Sequence, residues 1–179
     1  MAIINAQKIL TGDKTLVDLT SSAGTMTLSN SHASAEVIVD LYMTSQVGTK
    51  ITDTGVNVNL AAGYGVTTSS QAIVVDGTAA TSDMFLSEQV YDVDGALFGT
   101  CTVFTDGTHI TFGGGLLRTI FNDDSLYTGT RYYILRGVKI PRGASFVLPE
   151  DEINFDSSYK MYIDVNEAAG GVDIITRNY

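Results

Sequence analysis

The sequence predicts an all-β protein, a two-sheet β-sandwich of jelly-roll type with about ten strands and little or no helix. Apolar residues alternate with polar ones at period two in segment after segment, and no window of about 11 or more residues repeats them at three and four. Gly, Asn, Asp or Ser bounds these segments. About ten strands exceed what one open sheet handles comfortably, so they divide between two packed sheets or close into a barrel. With 179 residues, and no Pro-, Ser- or charge-rich linker, one domain over 1–179 is expected.

Taken in order, Thr15 to Thr20 and Thr25 to Ser29 form two short strands around the small polar turn Ser21-Ser22-Ala23-Gly24. Ser34 to Thr44 puts Val37, Val39, Leu41 and Met43 on one face and Ile38, Asp40 and Tyr42 on the other, a second face that is only half polar. Val56, Val58 and Leu60 alternate with Asn57 and Asn59, and residues 61–72 are a long loop. Ile73 to Val75 is a short β-branched run ended by Asp76-Gly77, and Met84 to Tyr91 alternates again up to Asp94-Gly95.

Cys101 to Phe112 reads as a hairpin, because Asp106-Gly107 between β-branched runs suits a two-residue type I′ loop. The register that follows sets Thr105 opposite Thr108, Phe104 opposite His109, Val103 opposite Ile110, Thr102 opposite Thr111 and Cys101 opposite Phe112. Cys101, Val103, Ile110 and Phe112 then face the core. Leu116 to Phe121 resumes the order after three glycines.

Arg131 to Val165 organises the rest. Tyr133 and Leu135 are out of phase with Val138 and Ile140 unless one residue is extra, and Gly137 suits that bulge. Arg136 and Gly137 would then oppose a single partner residue, with Arg136 and Lys139 left outside. Pro141-Arg142-Gly143-Ala144 reverses the chain. Phe146 and Leu148 continue the inner face to Pro149, which cannot donate to a ladder. After the acidic turn Glu150-Asp151-Glu152, Ile153 and Phe155 lead to the turn at Asp156-Ser157-Ser158, Tyr159 to Val165 alternates and Val172 to Thr176 closes the chain.

The composition, 44% hydrophobic and 17% charged, is too apolar for disorder. Twenty acidic against ten basic residues give a formal charge of −10, which opposes nucleic-acid contact. No run approaches the ~18 apolar residues of a membrane helix, and the N-terminus has no basic segment followed by an apolar run, so cytosolic synthesis is expected. Cys101 is the single cysteine and has no intrachain disulfide partner.

Catalytic patterns are sparse, and no catalytic, cofactor-binding or metal residue is assigned. The hairpin register puts Cys101 and His109 on opposite faces, so they cannot form a nucleophile–base pair. Asp92-Val93-Asp94-Gly95, Asn122-Asp123-Asp124 and Glu150-Asp151-Glu152 offer oxygens at turns, but Asp-x-Asp-Gly lacks the later bidentate Glu of a calcium loop. Gly113-Gly114-Gly115 is followed by neither Lys-Ser/Thr nor a helix start, as a phosphate loop requires. Nine tyrosines could stack on sugars, although core packing accounts for most of them equally well.

Arg131, Arg136, Lys139 and Arg142, with Lys160, gather half of the ten cations into the closing β region. Such asymmetry can orient one subunit against an acidic surface of another, and the plainer alternative is charges that guard an edge strand. The same stretch carries Val138, Ile140-Pro141, Gly143, Val147-Leu148, Asp151 to Asp156, Tyr159 and Val172 to Ile175. Over roughly its last 50 residues the chain resembles the C-terminal half of small β-rich virion proteins of tailed bacteriophages, particularly those of cyanobacterial hosts. The resemblance implies a non-enzymatic virion structural protein, a capsid decoration or cement protein. It would be made in the host cytoplasm, would self-associate, and would bind the major capsid protein or other virion proteins. A glycan- or receptor-binding module, or a neck or tail accessory protein, is the alternative. Arg131, Arg136, Lys139 and Arg142 are the expected partner contacts, with no nucleic acid, membrane or cofactor involved.

Overall fold

The computed structural model describes residues 3–12, 14–18, 24–76, 80–153 and 158–178. It is all-β and antiparallel. Fourteen strands lie among these residues, and helix is confined to two single turns. The chain divides into two compact units. Met1–Thr44 and Arg131–Tyr179 make a discontinuous unit, and Ser45–Thr130 an inserted one. Each encloses its own apolar cluster, which is the physical basis of the division.

In the discontinuous unit, β1 (Ile3–Ile9), β2 (Thr15–Leu16), β3 (Thr25–Asn30) and β4 (Val37–Ser45) precede the insertion. Strands β11 (Arg131–Ile140), β12 (Ser145–Pro149), β13 (Tyr159–Val165) and β14 (Val172–Asn178) follow it. Pairing is nested: β1 with β14, β2 with β13, β3 with β12 and β4 with β11. The lateral orders are β1-β14-β3-β12 in one sheet and β11-β4-β13-β2 in the other. Met26, Leu28, Leu148 and Ile174 of the first sheet meet Val39, Leu41, Ile140 and Ile163 of the second in one core.

Alternation explains most of this: β3 and the first half of β4 bury every second residue. The Gly137 bulge forms as expected. Leu135 pairs with Leu41 and Val138 with Val39, so Arg136 and Gly137 face Asp40 alone. Gly137 adopts φ +63° and donates its N–H to Asp40 Oδ1 at 2.5 Å. A second bulge, at Ile134, corrects the expectation for Tyr133. It pairs with Tyr42, leaves the core face and is 42% exposed. The turn Pro141–Ala144 closes with an N–H donated by Ala144 to the Pro141 carbonyl at 3.0 Å. Glu150–Ile153 is a single helical turn, α2, rather than an acidic loop. The expected strand end at Leu19-Thr20, the turn at Ser21–Ala23 and the Asn154–Ser157 segment lie outside the described residues.

The inserted unit is one six-stranded sheet in the order β5 (Ile51–Asn57), β10 (Ser125–Gly129), β7 (Gln89–Tyr91), β8 (Leu97–Asp106), β9 (His109–Gly113) and β6 (Gln71–Val74). A bridge between Val58 and Val75 joins its first and last strands, so the sheet curls around Val56, Ile73, Phe85, Cys101, Phe112 and Leu126.

Three expectations fail here. The hairpin keeps Cys101 opposite Phe112, but bulges at Thr102 and Thr105 shift the rest, so that Val103 pairs with Thr111, Phe104 with Ile110 and Asp106 with His109. Each extra residue flips the alternation. Val103 is 49% exposed, and Phe104 turns in against the core instead. Met84 to Tyr91 is not one strand: Ser82–Phe85 forms a helical turn, α1, whose Met84 N–H bonds the Thr81 hydroxyl. Leu116 to Phe121 is not a strand either, contributing only the Ile120–Tyr64 bridge.

Candidate interaction face

The outward face of the β11-β4-β13-β2 sheet gathers a row of tyrosines. Tyr133 on β11 is directly opposite Tyr42 on β4, with ring centroids 5.4 Å apart. Tyr42 in turn stacks on Tyr162 of β13 at 6.0 Å and 28°. Leu16 of β2 pairs with Tyr162 and ends the row. Alternation puts these side chains outward because Leu41, Met161 and Ile163 point into the core.

Each ring carries a cation. Arg131 lies 4.7 Å above Tyr42, Arg136 4.8 Å above Tyr133 and Lys14 4.4 Å above Tyr162. Such stacking contributes about 0.5–1 kcal/mol where exposed and up to ~2 kcal/mol where water is excluded. Tyr42 and Tyr162 are buried beneath their cations, so these rings lie toward the stronger end. The cations are thereby held in place, and binding a partner forfeits less side-chain freedom.

Lys139 sits on the same face, 3.8 Å from Glu36 at its rim, and Lys160 is exposed at the neighbouring outward position of β13. Arg142 stands apart, exposed in the turn after β11. Of the four predicted contact residues, Arg131, Arg136 and Lys139 are thus brought together, and Arg142 is not. Sequence reasoning missed Lys14, Tyr42 and Tyr162. The available signal was the half-polar second face of 34–44 and a lysine just before Thr15. β11 is also an edge strand, and its bulges and cations guard that edge.

The other candidate groups lie elsewhere. Cys101 is buried and His109 exposed, with the latter at the hairpin tip. There Asp106 Oδ1 accepts the Thr108 hydroxyl and N–H, each at 2.8 Å, and lies 3.1 Å from His109 Nδ1. The Thr108 hydroxyl, the Thr108 N–H and His109 together hold the Asp106 carboxyl down to about 2. Thr108 and Asp106 both approach Nδ1 of the imidazole, so no relay from hydroxyl through imidazole to carboxylate exists. Among the described residues, no three His, Cys, Asp or Glu side chains gather to hold a metal ion.

A cavity of about 100 Å³ lies beside β1 and β14, lined by Asn5, Gln7, Asp18 and Thr176 among others. Its Gln7 amide bonds Leu16 O and the Asp18 N–H, both at 2.8 Å. It is well below the ~300 Å³ at which small-molecule sites begin. Comparison with known protein families, with curated proteins and with solved structures finds no match.

Proposed function

We propose that this chain is a non-enzymatic structural protein of a bacteriophage virion, a decoration or cement protein. It is made in the host cytoplasm, self-associates, and binds the major capsid protein or other virion proteins. The carrying observation is the strand order of the discontinuous unit. Numbered along that unit alone, its eight strands run 1-8-3-6 in one sheet and 5-4-7-2 in the other, with nested pairs 1:8, 2:7, 3:6 and 4:5. We read this as a long hairpin rolled into a jelly roll, an architecture used by capsid and lectin domains. The inserted unit interrupts that hairpin between its fourth and fifth strands.

Architecture is an analogy, and the side chains must choose between these uses. A lectin stacks sugars on open aromatic faces, whereas here Arg131, Arg136 and Lys14 occupy the faces of Tyr42, Tyr133 and Tyr162. Cations fixed on a sheet favour a protein surface of opposite charge. The resemblance of the last 50 residues to virion proteins points the same way. The glycan- or receptor-binding alternative retains one supporting feature, Tyr132, which is 42% exposed and meets Tyr159 edge-on at 5.7 Å.

Purified particles provide the test. The protein should co-purify with intact virions through a density gradient at a fixed copy number per particle. Its presence in infected-cell lysate but absence from purified virions refutes the proposal. Glycan-array binding together with blocking of adsorption would transfer the assignment to the alternative.

A further inference from the structure

The charge is divided unequally between the two units. Of the ten Lys and Arg, only Lys50 and Arg118 lie in 45–130, against nine Asp and Glu. Lys14, Arg131, Arg136, Lys139 and Lys160 share the outward tyrosine face of the discontinuous unit with Asp40, Asp164 and Glu36. Asp40 is engaged by the Gly137 N–H, and Glu36 by Lys139.

The inserted unit has a complementary end. Tyr91 pairs antiparallel with Tyr127, so the turn after β7 and the turn before β10 emerge at the same end of the sheet. An ion pair between Arg118 and Asp92 ties the two segments together. Asp92 also accepts the N–H groups of Asp94 and Ala96, and Asp124 accepts that of Phe121. The turns present Asp94 and Asp123 as exposed carboxylates, the latter touched by the Asn122 amide. Val93 and Phe121 beside them are 67% and 62% exposed. Two large apolar side chains next to two carboxylates match, in kind, a half-exposed tyrosine between cations.

We propose that the chain assembles head to tail: the Tyr133, Arg136 and Lys139 face of one copy seats on the Val93, Asp94, Phe121 and Asp123 end of the inserted unit of the next. This rests on the reading of that face as a protein contact and adds the identity of the partner surface. The two patches differ, so the contact is heterologous and propagates into a closed ring or an open filament.

Sedimentation of the full chain tests it. The wild type should run larger than a monomer at about 50 mM NaCl and shift towards monomer at about 0.5 M, where the Debye length is only a few ångströms. Arg136→Glu with Lys139→Glu should weaken association at least roughly tenfold. Asp94→Lys with Asp123→Asn should do the same, asparagine being suited to the φ of +64° at 123.

Mixing the two variants is decisive, because each retains the half that the other lacks. An equimolar mixture should form a one-to-one dimer. Two variants that are each monomeric and remain so when mixed would overturn the head-to-tail arrangement, and an Asp94→Lys, Asp123→Asn variant that associates like the wild type would overturn it in favour of face-to-face pairing. A wild type that is monomeric at every salt and concentration, or a face variant that associates like the wild type, would also overturn it. Neither result touches co-purification with virions. Circular dichroism establishes folding, and if a charge reversal fails to fold, Arg136→Gln with Lys139→Gln and Asp94→Asn with Asp123→Asn repeat the mixture.

Discussion

Replacing Gly137 by alanine isolates the cost of the bulge that sets β11 in register. The residue has φ +63°, and a methyl group there would meet nothing within 4 Å. Steric clash therefore contributes nothing, and the N–H to Asp40 is retained. What remains is the left-handed backbone of a Cβ-bearing residue, about 1–2 kcal/mol, offset by about 0.4–1 kcal/mol because alanine restricts the unfolded chain. The expected net loss is about 1 kcal/mol. Urea titration gives that value directly, and thermal melting adds a second reading. The shift is about 5 °C if the discontinuous unit unfolds alone and about 3 °C if all 179 residues unfold together. Gly137→Asn should lose less than alanine, because asparagine tolerates this conformation. An alanine variant as stable as the wild type, or an asparagine variant worse than alanine, would refute the account.

Two further outcomes follow from the pairing and the burial. Thr44 is directly opposite Arg131 where the insertion leaves and rejoins, so replacing 45–130 by Asn-Gly should close an ordinary hairpin. The shortened chain should melt cooperatively with a dispersed amide spectrum, whereas a collapsed product would mean that the eight strands need the insertion. Burial, with Glu88 nearby, pushes the Tyr91 hydroxyl up to about 12. Between pH 10 and 12 the unfolded chain therefore releases a proton that the folded chain keeps, and stability falls over that window. Tyr91→Phe should flatten this part of the fall, and parallel melting curves for variant and wild type would contradict it.

Local alternation made much of the fold legible. The Gly137 bulge was readable because Tyr133 and Leu135 conflict in phase with Val138 and Ile140. The bulges at Thr102 and Ile134 were not, since no glycine marks them and each reverses the faces beyond it, as Val103 and Tyr133 show. Strand β1 escaped notice because Asn5 and Gln7 occupy inward positions that a period-two pattern reserves for apolar residues. The division into two units left no linker in the sequence, because the junction at Thr44 and Arg131 is itself a ladder. Of the interaction face, Arg136 and Lys139 followed from alternation along one strand. The meeting of Tyr42 with Tyr162 depends on β4 lying beside β13, a pairing that no local pattern encodes.

The nested pairing also orders events during synthesis. The inserted unit is continuous, and every partner it needs has left the ribosome once residue 130 is free. The outer strands must wait, because Ile3 pairs with Asn178 and closes the largest loop among the described residues. The first half of the discontinuous unit, with its apolar β3 and β4, therefore stays unpaired while its neighbour is already folded. Chains halted between residues 130 and 178 would carry a finished insertion beside exposed, unpaired strands of the discontinuous unit, so the slow and aggregation-prone step of biogenesis is the completion of that unit after the insertion has folded.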